Sequence, residues 1–374
     1  MSAGLFWAAI AIVAYTYALY PVLVTMLSRW AGHAPGTAPI TPPLTVVVAA
    51  HNERSRIGAR VRDLLEQDYP RDQLHVVVVD DGSTDGTAAA ADIGDPRVQV
   101  IRLPENAGKA AALNAGVAAV DTDIVVFTDA RQRFAPGALR MLVEPFADPG
   151  VGAVSGELMI EPGATERAAD IGLYWRIETA LREGEARLGW LHGVSGAIHA
   201  MRRELVPVLP PGLILDDMYL PATVMFAGKW VWMARDALAL DSASQNEAEE
   251  FQRKLRTLAG NWQLMAKLPR LLDPFANPAW FAFVSHKLLR LVAPWALIAA
   301  LIASASAGRP FYTVLFVLQL LAYAVAALAI FHPRAARRIP LAATAGTFVM
   351  LNAAALWSLP MSLRLDPRGL WKKH

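Results

Sequence analysis

The hydrophobic and polar positions divide this chain into an uncharged start, an alternating central part and an apolar end. In the central part, apolar runs of strand length at 44–50, 74–79, 98–103 and 124–128 end in polar residues. Segments with helical spacing of apolar residues separate these runs. Continuous apolar runs are typical of strands buried on both faces, and their alternation with helices predicts a parallel sheet. Ligands of such sheets bind outside the carboxyl ends of the strands.

Carboxylates stand where two of these predicted strands end. Asp80 and Asp81 follow the second run, and Asp129 follows the fourth. In a parallel sheet these side chains meet at one edge, where they can bind a nucleotide and a divalent metal, because hard cations prefer carboxylate oxygens and share them with phosphates. Acidic residues after strands also cap helices. Two acidic strand ends in one sheet favour a binding site over two separate caps.

Two further features add candidate chemistry to this edge. Lys109 follows Gly108 at the start of a predicted helix, where backbone N–H groups and a lysine can hold an anion; a solvated lysine is the alternative. Asp216 and Asp217 precede a helix predicted over 218–226. Asp217 can act as a general base if it reaches an attacking hydroxyl, whereas the alternative is a capping pair in which Asp216 is the cap.

The second half of the chain is less regular. Its predicted elements are strands at 151–155 and 230–233 and helices at 166–188 and 246–268. The last of these helices carries Arg253, Lys254 and Arg256, which can clamp a diphosphate or face anionic lipid, and both interpretations stay open. Four histidines show no metal-ligand spacing, and we interpret them as structural: His51, His192, His199 and His286.

Four uncharged stretches are long enough to cross a bilayer of about 30 Å. They lie at 3–28, 291–308, 310–331 and 339–363. The start of the chain has no basic residue, so we expect the first stretch to be a retained anchor rather than a cleaved signal peptide. Residues 275–290, rich in aromatic side chains, predict a helix in the membrane interface.

Basic residues beside these stretches predict the orientation. Arg29 and the basic loop at 334–338 place the central domain in the cytosol under the positive-inside rule. If all four stretches cross, Arg368, Lys372 and Lys373 fall on the opposite side, against that rule. Either the C-terminus breaks the rule or one stretch does not cross, and the sequence leaves both open.

Composition narrows the classes of function. The 374 residues are 55% hydrophobic and 18% charged, which indicates a membrane protein. The net charge of +2 gives no reason to expect a nucleic-acid partner. The absence of cysteine from the sequence excludes disulfides and thiolate metal sites.

The motifs of the central part, taken in order, resemble those of family 2 glycosyltransferases with a GT-A fold. The matching segments are VVVAAHNE (46–53), VDDGSTD (79–85), NAGK (106–109), ALN (112–114), TDA (128–130), GVSG (193–196), LDD (215–217) and the basic helix after Gln252. Together they cover about residues 44–260. The membrane flanks resemble those of the bacterial branch that builds exopolysaccharides, near chitin-oligosaccharide, poly-N-acetylglucosamine and hyaluronan synthases.

The resemblance implies an α/β GT-A domain, a Rossmann-like mixed sheet, between N-terminal and C-terminal transmembrane helices. It also implies inverting transfer of a sugar from a nucleotide diphosphate donor, with Mg²⁺ or Mn²⁺ on the diphosphate. The implied roles are nucleoside contacts for Glu53, Asp80 and Asp81, donor contacts for Lys109 and Asp216, metal binding for Asp129, the catalytic base for Asp217, and diphosphate contacts for Arg253 and Arg256.

Two departures from the family pattern have consequences. Arg131 replaces the second acid of the usual Asp-x-Asp metal motif, so the metal has one carboxylate fewer or Arg131 takes part of its role at the donor. The segment 252–257 keeps the basic residues of the Gln-x-x-Arg-Trp motif of polymerising members but lacks its tryptophan, and the next one is Trp262. This second departure favours addition of a single sugar over processive polymerisation.

The expected organisation is a transmembrane helix (1–30), a linker (31–43), a GT-A domain (44–245), amphipathic and interfacial helices (246–290) and a C-terminal region of about three transmembrane helices (291–374). We expect a multi-pass enzyme of the bacterial inner membrane with a cytosolic catalytic domain. Its expected partners are a nucleotide sugar, preferably a UDP-sugar, a lipid-linked or polysaccharide acceptor, membrane lipid and further polysaccharide-synthesis subunits. The alternative is a catalytically silent nucleotide-sugar sensor or assembly subunit, which Arg131 motivates and the retained Asp217 opposes.

Overall fold

The computed structural model describes residues 2–161, 168–242, 247–336 and 338–363. The strands are β1 (Leu44–Ala50), β2 (Leu74–Asp80), β3 (Val98–Arg102), β4 (Ile124–Asp129), β5 (Arg133–Phe134), β6 (Val151–Glu161), β7 (His199–Arg202) and β8 (Trp230–Ser242). The helices are α1 (Ser2–Ala14), α2 (Tyr20–Trp30), α3 (Arg54–Leu65), α4 (Thr87–Ala91), α5 (Lys109–Ala118), α6 (Ala138–Val143), α7 (Ala168–Arg187), α8 (Asp216–Phe226), α9 (Glu247–Lys267), α10 (Trp280–Ala282), α11 (Leu289–Ser306), α12 (Pro310–Phe331), α13 (Pro333–Ala336) and α14 (Ala342–Ser362).

The eight strands in the described ranges form one mixed sheet in the order β3-β2-β1-β4-β7-β6-β8-β5. The four strands predicted from the apolar runs pair in parallel, as expected. Strand β7 then pairs antiparallel with both β4 and β6, and β8 runs parallel to β6. The predicted α/β fold is therefore confirmed, and its second half makes the sheet mixed.

The register of the parallel strands brings two predicted carboxylates to the same edge. Ala49 of β1 lies opposite Asp129 of β4, and Ala50 lies opposite Asp80 of β2. The two acidic strand ends therefore flank the end of β1, at the carboxyl edge where parallel sheets bind ligands.

Both faces of the parallel strands are buried, which explains their continuous apolar sequence. Val47 and Val79 lie in the core on the side of α5, whereas Val46 and Val78 lie in the core on the other side, against α3. Helix α5 packs closely because residue 116 is glycine: a Cβ there would lie 2.5 Å from Cγ1 of Val47. Each buried valine stabilises the fold by about 1.5–3 kcal/mol, so the carboxyl edge rests on a rigid frame.

The later strands are longer than their apolar runs predict. Strands β6 and β8 continue to Glu161 and Ser242, pairing with each other through Leu158 and Ala239. Charged residues such as Arg235 interrupt the hydrophobic pattern of this ribbon, so the sequence shows only its first residues as strand. Helix α8 also begins earlier than predicted, at Asp216.

Within the described residues, four helical segments are long and apolar enough to cross a membrane: Ser2–Trp30, Trp280–Ser306, Pro310–Phe331 and Ala342–Ser362. The second begins at Trp280, so the predicted boundary between an interfacial helix and a span at 290/291 falls inside one helical run. The edge of the Phe6 ring contacts the Tyr312 ring, with centroids 5.6 Å apart. Arg368, Lys372 and Lys373, which fall on the outer side if all four stretches cross, lie outside the described residues. The division of the chain into domains stays a proposal.

Gly82 in the loop after β2 has φ +63°, and a Cβ there would lie 2.4 Å from the backbone carbon of Glu105. We expect Gly82→Ala to lower the free energy of unfolding by more than about 2 kcal/mol, because left-handed backbone strain adds to a backbone collision. Gly94→Ala is the matched control, since Gly94 has φ +75° and no atom within 4 Å of the added Cβ. Thermal unfolding in detergent measures both variants. Equal losses in the two would show that the close approach of the 105–106 backbone is unimportant.

Candidate active site

Lys109 lies at the centre of the carboxyl edge. Its Nζ is 3.2 Å from Oδ1 of Asp129 and 3.1 Å from Oδ2 of Asp216. Lys109 begins α5, after Gly108 with φ +90°. Burial alone would lower the pKa of Lys109, but Asp129, Asp216 and Asp217 outweigh it and raise that pKa. The lysine is therefore a fixed cation shared by three carboxylates, and the solvated alternative is wrong.

Asp216 and Asp217 are the first two residues of α8 and lie in its first turn, after the N-cap position. The residue before the helix is Leu215, which makes no side-chain capping bond. The capping alternative for this pair is therefore wrong. The pair instead projects acidic groups from a helix N-terminus toward Lys109 and the ends of the strands.

The carboxyl group of Asp217 is a weaker acid than that of an ordinary exposed aspartate. Its Oδ1 is buried and has no hydrogen-bond partner among the described residues. Burial and neighbouring Asp216 raise the pKa of Asp217 to about 6, against the opposing charges of Lys109 and Lys287. At pH 7 the carboxylate form still prevails, so Asp217 can accept a proton. A Cβ added to Gly196 would lie 3.7 Å from its Oδ2, so the glycine leaves space beside the carboxylate.

Asp80 and Asp81 hold the loops of the site rather than capping a helix. Oδ1 of Asp80 accepts a bond from the N–H of Ser83 at 3.0 Å. The two oxygens of Asp81 accept bonds from the N–H groups of Ala107 (2.8 Å) and Gly108 (2.9 Å). These bonds fix the segment that leads into Lys109. Nucleoside contact by Asp80 and Asp81 stays a prediction.

Glu53, the third predicted nucleoside contact, lies at the start of α3. Its Oε2 forms an ion pair with Nη1 of Arg56 at 3.4 Å. Beside it, Nδ1 of His51 donates to the carbonyl oxygen of Asp81, 2.7 Å away. The structure therefore places Glu53 and the Asp80–Asp81 loop on neighbouring segments, consistent with one nucleoside pocket.

Arg131 is held by a carboxylate that the sequence did not reveal. Its guanidinium forms an ion pair with Asp241 at the end of β8, and Nε2 of Gln132 lies 3.1 Å from the same Oδ2. Asp241 is buried, while the Arg131 side chain stays 42% exposed. The strand predicted from the sequence ended at Met233, so the sequence gave no reason to expect Asp241 at this site.

Two other buried residues support the site and were missed as functional candidates. Nη2 of Arg60 donates to Oγ1 of Thr128 at 2.7 Å, directly beside Asp129, and burial lowers the pKa of Arg60 to about 10. The His199 ring stacks on Phe127 with centroids 5.0 Å apart, and burial lowers the pKa of His199 to about 4. A neutral histidine and a buried arginine inside core elements carry no sequence signal beyond their polarity.

Arg256 of the basic helix α9 is exposed, and among the described residues it forms no ion pair with the carboxylates of the site. Arg253 is half-buried, and its charge acts on neighbouring Lys254. The indole N–H of Trp262 donates to Oγ of Ser358 on α14 at 3.0 Å. Trp262 is therefore engaged with a candidate membrane helix, and its failure to replace the missing tryptophan of the polymerase motif stays a prediction. The predicted contacts of Arg253 and Arg256 with a diphosphate stay predictions.

The donor set at the strand ends suits a hard divalent cation. The Asp129 carboxylate is 43% exposed and shares Lys109 with Asp216, whose Oδ2 is buried. Carboxylate oxygens with room for phosphate oxygens are the ligands that Mg²⁺ and Mn²⁺ accept. Asp129 can therefore hold such an ion together with a substrate diphosphate.

Within the described ranges, a different set of potential metal ligands converges within 4.8 Å: Glu185, His192 and His286. Sequence spacing did not reveal this group, because its members come from three separate segments. Nδ1 of His286 lies 2.8 Å from Oε1 of Glu185, and its Nε2 lies 3.0 Å from Oε1 of Glu178. Hydrogen bonds to two carboxylates account for this geometry, and we interpret the group as a polar junction between α7 and the helix that begins at Trp280.

Comparison with known proteins matches part of the chain to a family of enzymes. Residues 45–209 match the family model described as Glycosyl transferase family 2. Over 196 residues the chain is 32% identical to an N-acetylglucosaminyltransferase of Rhizobium sp. (strain N33), covering 50% of this chain and 41% of the relative. Over 118 residues it is 40% identical to a beta-monoglucosyldiacylglycerol synthase of Synechocystis sp., covering 30% of this chain and 25% of the relative. The matched part thus spans less than half of either relative.

A solved structure matches nearly the whole chain. It is the mannosyltransferase PcManGT from Pyrobaculum calidifontis in complex with GDP-Man and Mn²⁺, with a TM-score of 0.74 and 29% identity. The match covers 96% of this chain and 99% of that one, including the apolar helices. The mixed sheet, the ordered motifs and these comparisons lead to one conclusion: residues 45–209 carry a family 2 glycosyltransferase domain, and the sheet has a GT-A-like fold.

Proposed function

We propose that this protein transfers one sugar from a nucleotide diphosphate sugar, with a UDP-sugar as the first choice, to a lipid-linked or growing saccharide acceptor. The observation that carries the proposal is the partly buried Asp217, whose Oδ1 is buried without a hydrogen-bond partner among the described residues, beside a Lys109-centred cluster with Asp129 and Asp216. A binding protein would need cations for the diphosphate, but it would not need a carboxylate that has a raised pKa and a buried oxygen without a hydrogen-bond partner among the described residues.

The proposed reaction is a single displacement with inversion. Asp217 takes the proton of the acceptor hydroxyl while that oxygen bonds to the anomeric carbon of the donor sugar. The bond from this carbon to the diphosphate oxygen breaks, and both of its electrons leave with the nucleoside diphosphate. Lys109 stabilises the negative charge that grows on the leaving group, since its ammonium is fixed beside Asp129.

We assign the donor-bound divalent metal to Asp129. A bound Mg²⁺ or Mn²⁺ would neutralise charge on the diphosphate. Arg131 stands where the family has a second acid, and its ion pair with Asp241 holds a guanidinium at this position. We propose that Arg131 supplies permanent positive charge to the donor, so that one metal carboxylate is sufficient. Asp80, Asp81 and Glu53 are assigned to the nucleoside.

The four candidate membrane helices of the described residues support a location in a bilayer, and we propose the bacterial inner membrane with the sheet domain in the cytosol. A lipid-linked acceptor fits this location. We favour single addition, because Trp262 is bound to Ser358 and the polymerase motif stays incomplete. A ladder of long products on a gel would contradict single addition.

Nucleotide release by the purified full chain tests the proposal. The protein in detergent is given a panel of UDP- and GDP-sugars, each with Mg²⁺, Mn²⁺ or EDTA. We expect release from one UDP-sugar and its loss in EDTA. Release from a GDP-sugar would show that the donor is not a UDP-sugar, and release unaffected by EDTA would overturn the metal assignment. If no donor gives release even with lipid extract as acceptor, the proposed transfer activity is contradicted and a catalytically silent nucleotide-sugar-binding subunit is favoured.

A further inference from the structure

The loop 206–215, which follows β7 and leads into α8, is bound by side chains of two other helices. It ends directly before Asp216 and Asp217. Three of its ten residues are proline and have no backbone N–H to donate. Because the loop has few donors of its own, its position depends strongly on the groups that reach it from other elements.

Asn114 of α5 binds both backbone groups of one residue in this loop. Its Oδ1 accepts the N–H of Leu209 at 2.8 Å, and its Nδ2 donates to the carbonyl oxygen of Leu209 at 2.9 Å. Leu209 is buried, so these bonds supply the partners that a buried backbone requires. Asn114 lies five residues after Lys109 in the same helix and is the last residue of the ALN segment that matches the family motifs.

Gln263 of α9 makes an equivalent pair of bonds nearer the end of the loop. Its Oε1 accepts the N–H of Ile214 at 3.0 Å, and its Nε2 donates to the carbonyl oxygen of Gly212 at 2.8 Å. Helix α9 also approaches the loop closely because residue 260 is glycine: a Cβ there would lie 2.7 Å from Cγ of Leu215. These contacts reach the last two residues before α8, so α9 holds the segment that leads directly to the proposed base.

Together the two side-chain amides connect the helix of Lys109 to the helix of Asp217. The connection closes at the site, where Nζ of Lys109 lies 3.1 Å from Oδ2 of Asp216. Leu215, the residue before α8, makes no side-chain capping bond. The place where α8 begins is therefore determined by the contacts of the loop and by the apolar packing of the helix, rather than by a cap.

We propose that Asn114 and Gln263 are positioning residues, which keep the carboxylate of Asp217 at the distance from Lys109 that sugar transfer requires. This inference rests on the proposed function and adds two residues that act through Asp217 rather than on the substrate. A base must lie within hydrogen-bond reach of the acceptor hydroxyl, and a displacement of about 1 Å can lower a rate about 10²-fold. Both amides are neutral, so their loss changes geometry without removing a charge.

Steady-state kinetics of Asn114→Leu and Gln263→Leu test the inference. Leucine is close in volume to each amide but makes no hydrogen bond with its side chain. With the purified full chain, a donor that supports nucleotide release and lipid extract as acceptor, we expect kcat for transfer to fall about 10- to 100-fold. The Kd of the donor should change less than about twofold, since the lost interaction acts on the reacting geometry. The plateau of the pH–rate profile should fall without a shift of its acid limb, because no charge near Asp217 changes.

Asn277→Leu is the matched control. Oδ1 of Asn277 accepts the N–H of Ala279 at 3.0 Å, and its Nδ2 donates to the carbonyl oxygen of Leu271 at 2.9 Å. This variant loses the same two kinds of bond, but within the segment 271–279 rather than at the loop before α8. We expect it to lower the unfolding temperature about as much as Asn114→Leu does, while its kcat stays close to that of the wild type.

Equal falls in kcat for all three leucine variants would show that activity follows stability alone, which overturns the inference. A wild-type kcat in both Asn114→Leu and Gln263→Leu overturns it as well. If those variants do not fold, Gln263→Asn keeps the amide on a side chain one methylene shorter and should show a milder fall in kcat at unchanged donor affinity. Absence of transfer by the wild type would contradict the proposed function itself, whereas an active wild type with equally active variants contradicts positioning alone.

Discussion

Asp217→Asn is expected to lower the rate of sugar transfer about 10²- to 10⁴-fold, the usual contribution of a general base. Asparagine keeps the size of the side chain but cannot take a proton from the acceptor. Donor affinity should stay within a few fold of wild type, because the diphosphate contacts that we propose belong to Lys109, Arg131 and the metal, and not to Asp217. Steady-state transfer and equilibrium donor binding measure the two effects separately.

The pH dependence of the wild-type rate provides a second test of Asp217 as the base. The pKa of Asp217 is raised to about 6, so the active carboxylate form is lost as pH falls through that value. The wild-type rate should therefore be constant above about pH 7 and fall about tenfold per pH unit below 6. Asp72→Asn is the matched control, since Asp72 is exposed before β2, at the opposite edge. A variant Asp217→Asn that keeps wild-type transfer would remove the base from the mechanism.

Lys109→Met is expected to reduce both stability and transfer. It leaves Asp129, Asp216 and Asp217 without their shared cation, and breaking a buried ion pair costs about 3–5 kcal/mol. We expect about 3 kcal/mol or less of unfolding free energy, because Asp129 is 43% exposed and partly screened. Lys109 also holds the pKa of Asp217 down, so the acid limb of the pH profile of residual activity should move to higher pH.

Thermal unfolding and the pH–rate profile check this second prediction. Lys267→Met is the control, because that lysine contacts only a backbone carbonyl at the surface among the described residues. An unshifted profile with full activity would show that Lys109 is not coupled to Asp217. If Lys109→Met loses its folded structure, Lys109→Arg keeps the charge and tests geometry alone.

The parallel half of the sheet was predictable because its sequence signal is strong. Both faces of β1, β2 and β4 are buried, which requires continuous apolar runs, and the polar residue after each run marks the carboxyl edge. The convergence of Asp80 and Asp129 follows from the register with β1. Family resemblance, rather than periodicity, singled out Asp217.

The remaining parts of the site depend on contacts between distant segments. Asp241 reaches Arg131 only because β8 continues along β6, and the charged residues of that ribbon conceal the strand in the sequence. His286 meets Glu185 across 101 positions of the chain. Single-sequence patterns report local burial, but they do not report which distant side chains a mixed sheet and a membrane helix bring together.

Transfer of a labelled sugar into lipid is the most direct test of the central claim. The purified full chain and Asp217→Asn are given the donor that supports nucleotide release, together with bacterial lipid extract. We predict label in the organic phase for the wild type and loss of at least about 99% of it for the variant. Donor binding without lipid-soluble or polymeric label in the wild type, or equal label in both proteins, would contradict catalysis by Asp217 at this site.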